Sequence, residues 1–359
     1  MPSSLLALSA AFALAAEVRV ANTAELQRAL RPGAVIVLAP GDYEGFHARG
    51  LRHVTLRAAD RQHPPVFRGP VQFSAVEHLT LDGLVLAGSA TNGLNIDDGG
   101  VLDRPSRHVI LRGLTVRDIG GTGNHDGIKL SGVDDFRLED STVERWGRKG
   151  SAVDMVGCHR GVVERCSFRD RAVDPAATGV QIKGGSREIA IRQCRFEHAG
   201  TRAVNLGGST GLAYFRPKPE GFEARDLLVE DSTFLGSLAP IAFTGVDGAI
   251  VRHNTFHQPE KWLVRILQEN RAAGFVPCRR GVFEDNLIRY ELERLAVPVN
   301  IGPGTDPESF RFARNHWRAN RRPDWPAPRL PIPERDAFSG DDASTAGVRS
   351  RGAKRISRP

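Results

Sequence analysis

Once the repeats of this chain are aligned, Lys129, Asp154, Gln181, Lys183 and Asn205 fall at equivalent outward places, and together they could move protons. Lys183 is one of only six lysines in a chain with 43 arginines, and lysine can act as a base where its neighbours lower its pKa, as arginine cannot. Asp154 could serve as a general acid, a metal ligand or a partner for Lys129 and Lys183. As a partner it favours the charged lysine and works against a base. His125 and Asp126 enter the Lys129 segment, where they could equally form a turn, and Arg265 and Asn300 continue the strip.

What positions these residues is a repeat. The segments ILRGLTV (110–116), RLEDSTV (137–143), VVERCSF (162–168), AIRQCRF (190–196), LVEDSTF (228–234), IVRHNTF (250–256) and VFEDNLI (282–288) align without gaps. Their last apolar residues recur at steps of 27, 25, 28, 38, 22 and 32. Between them runs a second series: GLNID (93–97), GIKLS (127–131), AVDMV (152–156), GVQIK (179–183), AVNLG (203–207), PIAFT (240–244), LVRIL (263–267) and PVNIG (298–302). Each member alternates apolar and polar residues, the period of a half-buried strand, and helical periodicity is nearly absent. Two short strands per repeat of about 25 residues predict an all-β chain coiled as a parallel β-helix. Its interior column holds Ile128, Val153, Val180 and Val204, and a one-residue slip would turn both faces over. Eight or nine rungs at ~4.8 Å give a rod of roughly 40 Å, expected from about residue 33 to 317.

The ends of such a rod need covers. TAELQRAL (23–30) reads as a short amphipathic capping helix with Thr23 as N-cap, and Pro323 to Pro333 as extended chain over the last rungs. The longer steps place excursions at about 207–223 and 268–281. Residues 1–16, MPSSLLALSAAFALAA, resemble a secretory signal peptide with a small-x-small site at Ala13-Leu14-Ala15, so the protein is expected to be secreted or periplasmic and bacterial. The expected domains are therefore 1–16 signal, 17–335 β-helix and 336–359 a disordered basic tail.

Charge narrows the partners. The chain carries +7, yet the stretch from Arg318 to Pro359 holds ten basic and five acidic residues, so the body is nearly balanced. No nucleic-acid partner is expected, and no apolar run is long enough for a membrane span. The four cysteines have no metal-ligand spacing. Cys166 and Cys194 occupy the same turn on neighbouring rungs, buried, either as stacked small residues or as a disulfide; Cys158 and Cys278 lie about four rungs apart, too far to pair.

With the repeats in place, residues 20–320 resemble the right-handed parallel β-helix proteins of the pectate-lyase-like superfamily. TAELQRALRPGAVIVLAPGDYEG is similar to the N-terminal opening of the chondroitinase B and alginate lyase family, polysaccharide lyase family 6. VQIKGGSREIAIRQCRF is similar to that family's core strand, in which a Val-x-Lys stretch supplies the base. The resemblance implies a β-eliminating lyase acting on an acidic, uronate-containing polysaccharide, with Lys183 as base, assisted by Arg202, Asp154 and Lys129. Gln181, Asn205, His125, Asp126 and Arg265 would bind substrate. The family's acidic calcium ligands fall here on Ala176 and Thr178, and its catalytic arginine on Leu206, leaving Arg202 in the preceding turn as the nearest substitute. No cofactor is expected; calcium at Asp97 and Asp98 lacks a spaced carboxylate loop. A monomer is expected. Two other readings stay open: a non-catalytic carbohydrate-binding or surface-structural β-helix, and a polygalacturonase-like hydrolase, since NHDG (124–127) is similar to that family's Asn-x-Asp-Gly.

Overall fold

The computed structural model describes residues 16–340. Strands follow one another in parallel throughout, forming a 13-stranded sheet and a 20-stranded sheet around a single apolar interior. The groove-facing ladder consists of β1 (Leu94–Asp97), β2 (Ile128–Ser131), β3 (Ser151–Val156), β4 (Thr178–Lys183), β5 (Arg202–Gly207), β6 (Ala239–Thr244), β7 (Val264–Leu267) and β8 (Val299–Ile301). Their register puts Leu94, Ile128, Val153, Val180, Val204, Ile241, Val264 and Val299 in one column, all buried. The expected interior column is therefore present, and with it the outward strip.

Each rung has three strands where two were expected, because the first series bends. Asp140, Arg165, Gln193, Asp231, His253 and Asp285 all take left-handed backbone angles, with φ between 51 and 56°. The chain turns there and a three-residue strand follows, as in Thr142–Glu144 and Ser167–Arg169. Small residues line the inside of this bend. Ser232, Asn254 and Asn286 each donate their amide to the side-chain oxygen of the next member, Asn254, Asn286 and Asn315, at 3.0 Å. Buried Cys166 and Cys194 sit in this stack on adjacent rungs, and all four cysteines are free thiols. Cys278 lies four rungs from Cys158. Beyond the bend, Phe168, Phe196, Phe234 and Phe256 stack at 4.6–5.0 Å between ring centroids.

The rod is longer than expected, since 13 strands span about 58 Å. It begins with Glu17–Val20, which pairs with Val35–Leu38, and ends with Phe338–Ser339, which pairs beside His316–Ala319 and carries the coil past residue 335. Residues 1–15 of the expected signal peptide at 1–16, and residues 341–359 of the expected tail at 336–359, lie outside the described residues. The capping helix α1 spans Thr23–Ala29, but its N-cap is Asn22, whose side-chain oxygen accepts from the Glu25 amide while Glu25 accepts from Ala21. Thr23 instead accepts from the Glu44 amide.

Many arginines of the outer sheet are matched. Arg160 pairs with Asp134 and Asp135, Arg165 with Asp140 and Glu164, Arg279 and Arg280 with Asp247, and Arg314 with Glu284 and Asp285. Partners one rung apart close these charges locally.

Candidate functional site

The outward face of the groove ladder divides into two groups. In the first, β2, β3 and β4 bring together Asp126, Lys129, Asp154 and Lys183. Lys129 Nζ donates to Asp154 Oδ2 at 2.6 Å and to Asp126 Oδ2 at 3.1 Å. Both carboxylates are 3% exposed and stand within about 6 Å of each other, near enough for their charges to couple. Burial works against the ammonium of Lys129, but the two carboxylates more than offset it and hold its pKa well above the ordinary lysine value. Burial and the charge of Asp154 push the Asp126 carboxyl up. Lys183 Nζ lies 3.2 Å from Asp154 Oδ1, within ion-pair distance but out of line for a hydrogen bond, so that buried oxygen has no aligned donor. Gln181 is half-buried beside them, with Ser151 Oγ 3.4 Å from its Oε1.

Asn205, Arg202 and Arg265 do not join this cluster. Asn205 is 1% exposed and accepts from Thr244 Oγ1 at 2.7 Å, which closes it to a ligand. Arg202 starts β5 in register with Thr178, five residues before Lys183 along the strand, and its Nη2 donates to Glu269 at 2.8 Å. Arg265 projects from β7, donates from Nε to Asn300 at 3.1 Å and lies over the Trp262 ring at 4.5 Å. Burial, then the charge of Arg202, push its pKa down. His125 packs over Gly120 and Gly123 in its own loop, with its carbonyl accepting from Gly147. Asp126 alone of that pair reaches the cluster.

The excursions form a wall along the first group. From β5 the chain doubles back. Gly208 passes close over the groove strand, where a Cβ would stand 2.6 Å from the Gln181 side-chain nitrogen and 3.2 Å from the Lys183 side chain. Arg216 then donates its amide to Gly184, crosses Gly157 and Gly132, and ends with Nε 2.5 Å from Asp98 Oδ2 beside β1. The second excursion braces the first: Phe275 meets Phe215 edge-on at 5.5 Å, and fully buried Glu223 accepts from Gly184, Thr210 and Asn270. Sequence reasoning missed Arg216, Glu223, Trp262 and Glu269, and weighed Asp98 only as a calcium ligand rather than as the partner of Arg216. Only the irregular repeat lengths pointed to these loops.

The residues present do not fit calcium. Asp98 is taken by Arg216 and the Gly100 amide, and Asp97 by Gln72, Asn95 and the Gly99 amide. Ala176 offers no side-chain oxygen, and among the described residues no His, Cys, Asp or Glu group is arranged to hold a metal ion. Nor is any described helix long and apolar enough to cross a membrane.

No family model matches the sequence, and no curated protein is similar to it in sequence. Solved structures are similar along most of the chain. An alginate lyase from Paenibacillus sp. strain FPU-7 is 17% identical, with a TM-score of 0.51 over 90% of this chain and 98% of that one. A mannuronic-acid-specific polysaccharide family 6 lyase from the human gut microbiota is 12% identical, with a TM-score of 0.56 over 90% and 79%. The tailspike protein of E. coli bacteriophage HK620, solved with a pentasaccharide, is 11% identical, with a TM-score of 0.56 over 80% and 54%. The chain is a right-handed parallel β-helix. At these identities the likeness is one of fold.

Proposed function

We propose that the groove binds an acidic, uronate-containing polysaccharide and cleaves it by β-elimination, with Lys183 as the base. The observation that supports this most is the arrangement at Asp154. Lys129 holds that carboxylate by a hydrogen bond, while Lys183 keeps only the looser contact and reaches toward the groove, 20% exposed. Lys183 must first give up a proton, which its ion pair with Asp154 opposes, so the base is the fraction of Lys183 that has lost its proton to solvent. The neutral amine then takes the proton α to the sugar carboxylate. Electron density moves into that carboxylate, the carbon–oxygen bond to the neighbouring sugar breaks as a carbon–carbon double bond forms, and the departing oxygen takes the proton back from the Lys183 ammonium. Charge growing on the carboxylate needs a donor or cation beside it, and Gln181, half-buried two residues before Lys183 on the same strand, is the group placed to supply one. The protein is proposed to act as an exported monomer without a cofactor.

A hydrolase is the second reading, favoured by one observation: buried Asp126, its carboxyl pushed up, faces Asp154 as acid faces base in paired-carboxylate glycosidases. Incubation with alginate, pectate and chondroitin separates the readings. Elimination yields an ultraviolet-absorbing unsaturated end, hydrolysis only new reducing ends, and a binding protein neither. Lys183→Ala and Lys183→Arg should both abolish the unsaturated product while leaving circular dichroism unchanged. Wild-type turnover in either variant would remove Lys183 as the base.

A further inference from the structure

Arg265 lacks the carboxylate that many arginines of the outer sheet have. On the outer sheet arginines such as Arg160, Arg165 and Arg314 meet carboxylates one rung away. Arg265 has no carboxylate at ion-pair distance among the described residues; its polar partner is the neutral Asn300. It is half-buried, fixed over Trp262, and feels the charge of another cation, Arg202, and, less, that of Glu269. Lys261 Nζ also lies over Trp262, at 4.3 Å. Two like charges brought together in a partly desolvated place are costly unless an anion joins them.

The anion now present is Glu269. It comes from the second excursion, off the strands, and its carboxylate is 35% exposed and accepts from Arg202 Nη2 at 2.8 Å. A carboxylate on a loop, held by one guanidinium, is in the position a sugar carboxylate would occupy. Arg265 lies three rungs beyond Lys183, about 14 Å along the rod, so an anion bound there belongs to a different sugar unit from the one at Lys183.

We propose that Arg202 and Arg265 form a carboxylate subsite for a second sugar of an acidic polysaccharide, and that Glu269 is its built-in competitor, displaced when the chain docks. This rests on the acidic-polysaccharide reading but not on elimination. A planar guanidinium receives a carboxylate through two parallel hydrogen bonds, and Trp262 holds Arg265 in the orientation for that. Glu269, as a carboxylate, marks the site for carboxylated rather than sulfated sugars.

The test is binding to the full chain, by calorimetry, in a Lys183→Ala background so that turnover plays no part. The probes are hexasaccharides of mannuronate, guluronate and galacturonate, a neutral glucan hexasaccharide, and a sulfated neutral galactan of the same length. Glu269→Gln should tighten the best-bound hexauronate about two- to fivefold, the scale of one exposed ion pair removed from competition. Glu188→Gln, which removes the same charge from the exposed opposite sheet, should not. Arg265→Gln should weaken binding about tenfold, and Arg265→Lys should recover only part, since it restores charge without the fork. Unchanged or weaker binding in Glu269→Gln overturns the proposal. So do an equal gain in Glu188→Gln, an equal gain for the sulfated probe, or no hexauronate binding by any variant. Loss of the unsaturated product with this binding pattern intact would instead overturn the elimination chemistry alone.

Discussion

Replacing Lys129 by Met should expose how the first group is held together. The substitution keeps the aliphatic stem and removes the ammonium that two 3%-exposed carboxylates share. Breaking a fully buried ion pair costs about 3–5 kcal/mol, and the 31% exposure of the Lys129 side chain argues for the lower end, about 2–3 kcal/mol. The loss should depend on pH. Lys129, with its folded pKa raised, contributes stability that is complete below its unfolded value of about 10.4, so the wild type has all of it between pH 4 and 9. In the variant Asp126 and Asp154 face each other with less compensation, and the carboxyl of Asp126 is already pushed up. A carboxyl raised on folding is most favourable below its unfolded value of about 3.9 and loses stability as pH rises through its folded value. One proton accounts for about 1.4 kcal/mol per pH unit, so the deficit should grow from near zero at about pH 4.5 to its full size some two units higher. Urea midpoints are the readout, because a long repeat can unfold in more than one step. Lys129→Met should fall about 1 M below wild type at pH 8 and match it near pH 4.5. An equal midpoint at pH 8, or an equal deficit at both, would refute a charged network at Asp154.

Glu164 gives the opposite sign: burial works against its charge, but Arg165 and Arg192 outweigh it and hold the carboxyl below its usual range. Its stability is present above the unfolded value of about 4.3 and lost as pH falls through the folded one, so Glu164→Gln should cost about 2 kcal/mol at pH 7 and nothing near pH 3. Cys158 and Cys278 are buried, and burial pushes each thiol up to about 12, so neither should be alkylated at pH 8 in the native protein, while both should be in denaturant, as mass mapping would show.

The groove ladder was legible because its signal is local and repeated. Val153, Val180 and Val204 alternate with Asp154, Gln181 and Asn205 at period two, and every rung confirms the register of the next. The bend in the first series was not legible, because Asp140, Arg165, Gln193 and His253 take left-handed angles without the glycine that would advertise them. The capping residue shifted by one, since Asn22 and Thr23 both carry a side-chain oxygen and only the Glu25 amide decides between them. Asn205 was placed on the correct strand but lost as a ligand group. Its cover is Thr244 from the next rung, a contact between side chains that no periodicity encodes. Arg202 failed as a neighbour of Lys183 for a related reason: its partner Glu269 lies 67 residues away on an aperiodic loop.

The distribution of charge argues for an acidic ligand more strongly than the net value does. An excess of +7 that sat on the outer sheet would mean little, because Glu164, Asp247 and Glu284 there each bind arginines from neighbouring strands and leave no field to be read at a distance. In the groove, Lys129 and Lys183 converge on the inner carboxylates, which are fixed in the strands and their turns and cannot move aside. Arg202 pairs with Glu269, which sits on a loop, and Arg265 feels that charge from beyond ion-pair distance. Moving that one side chain leaves two guanidinium groups without a counter-charge. An anionic chain lying along the rod would meet the lysines at one end and the arginines at the other. A neutral glycan would gain nothing from displacing Glu269, and the groove would therefore discriminate by charge before any bond is broken.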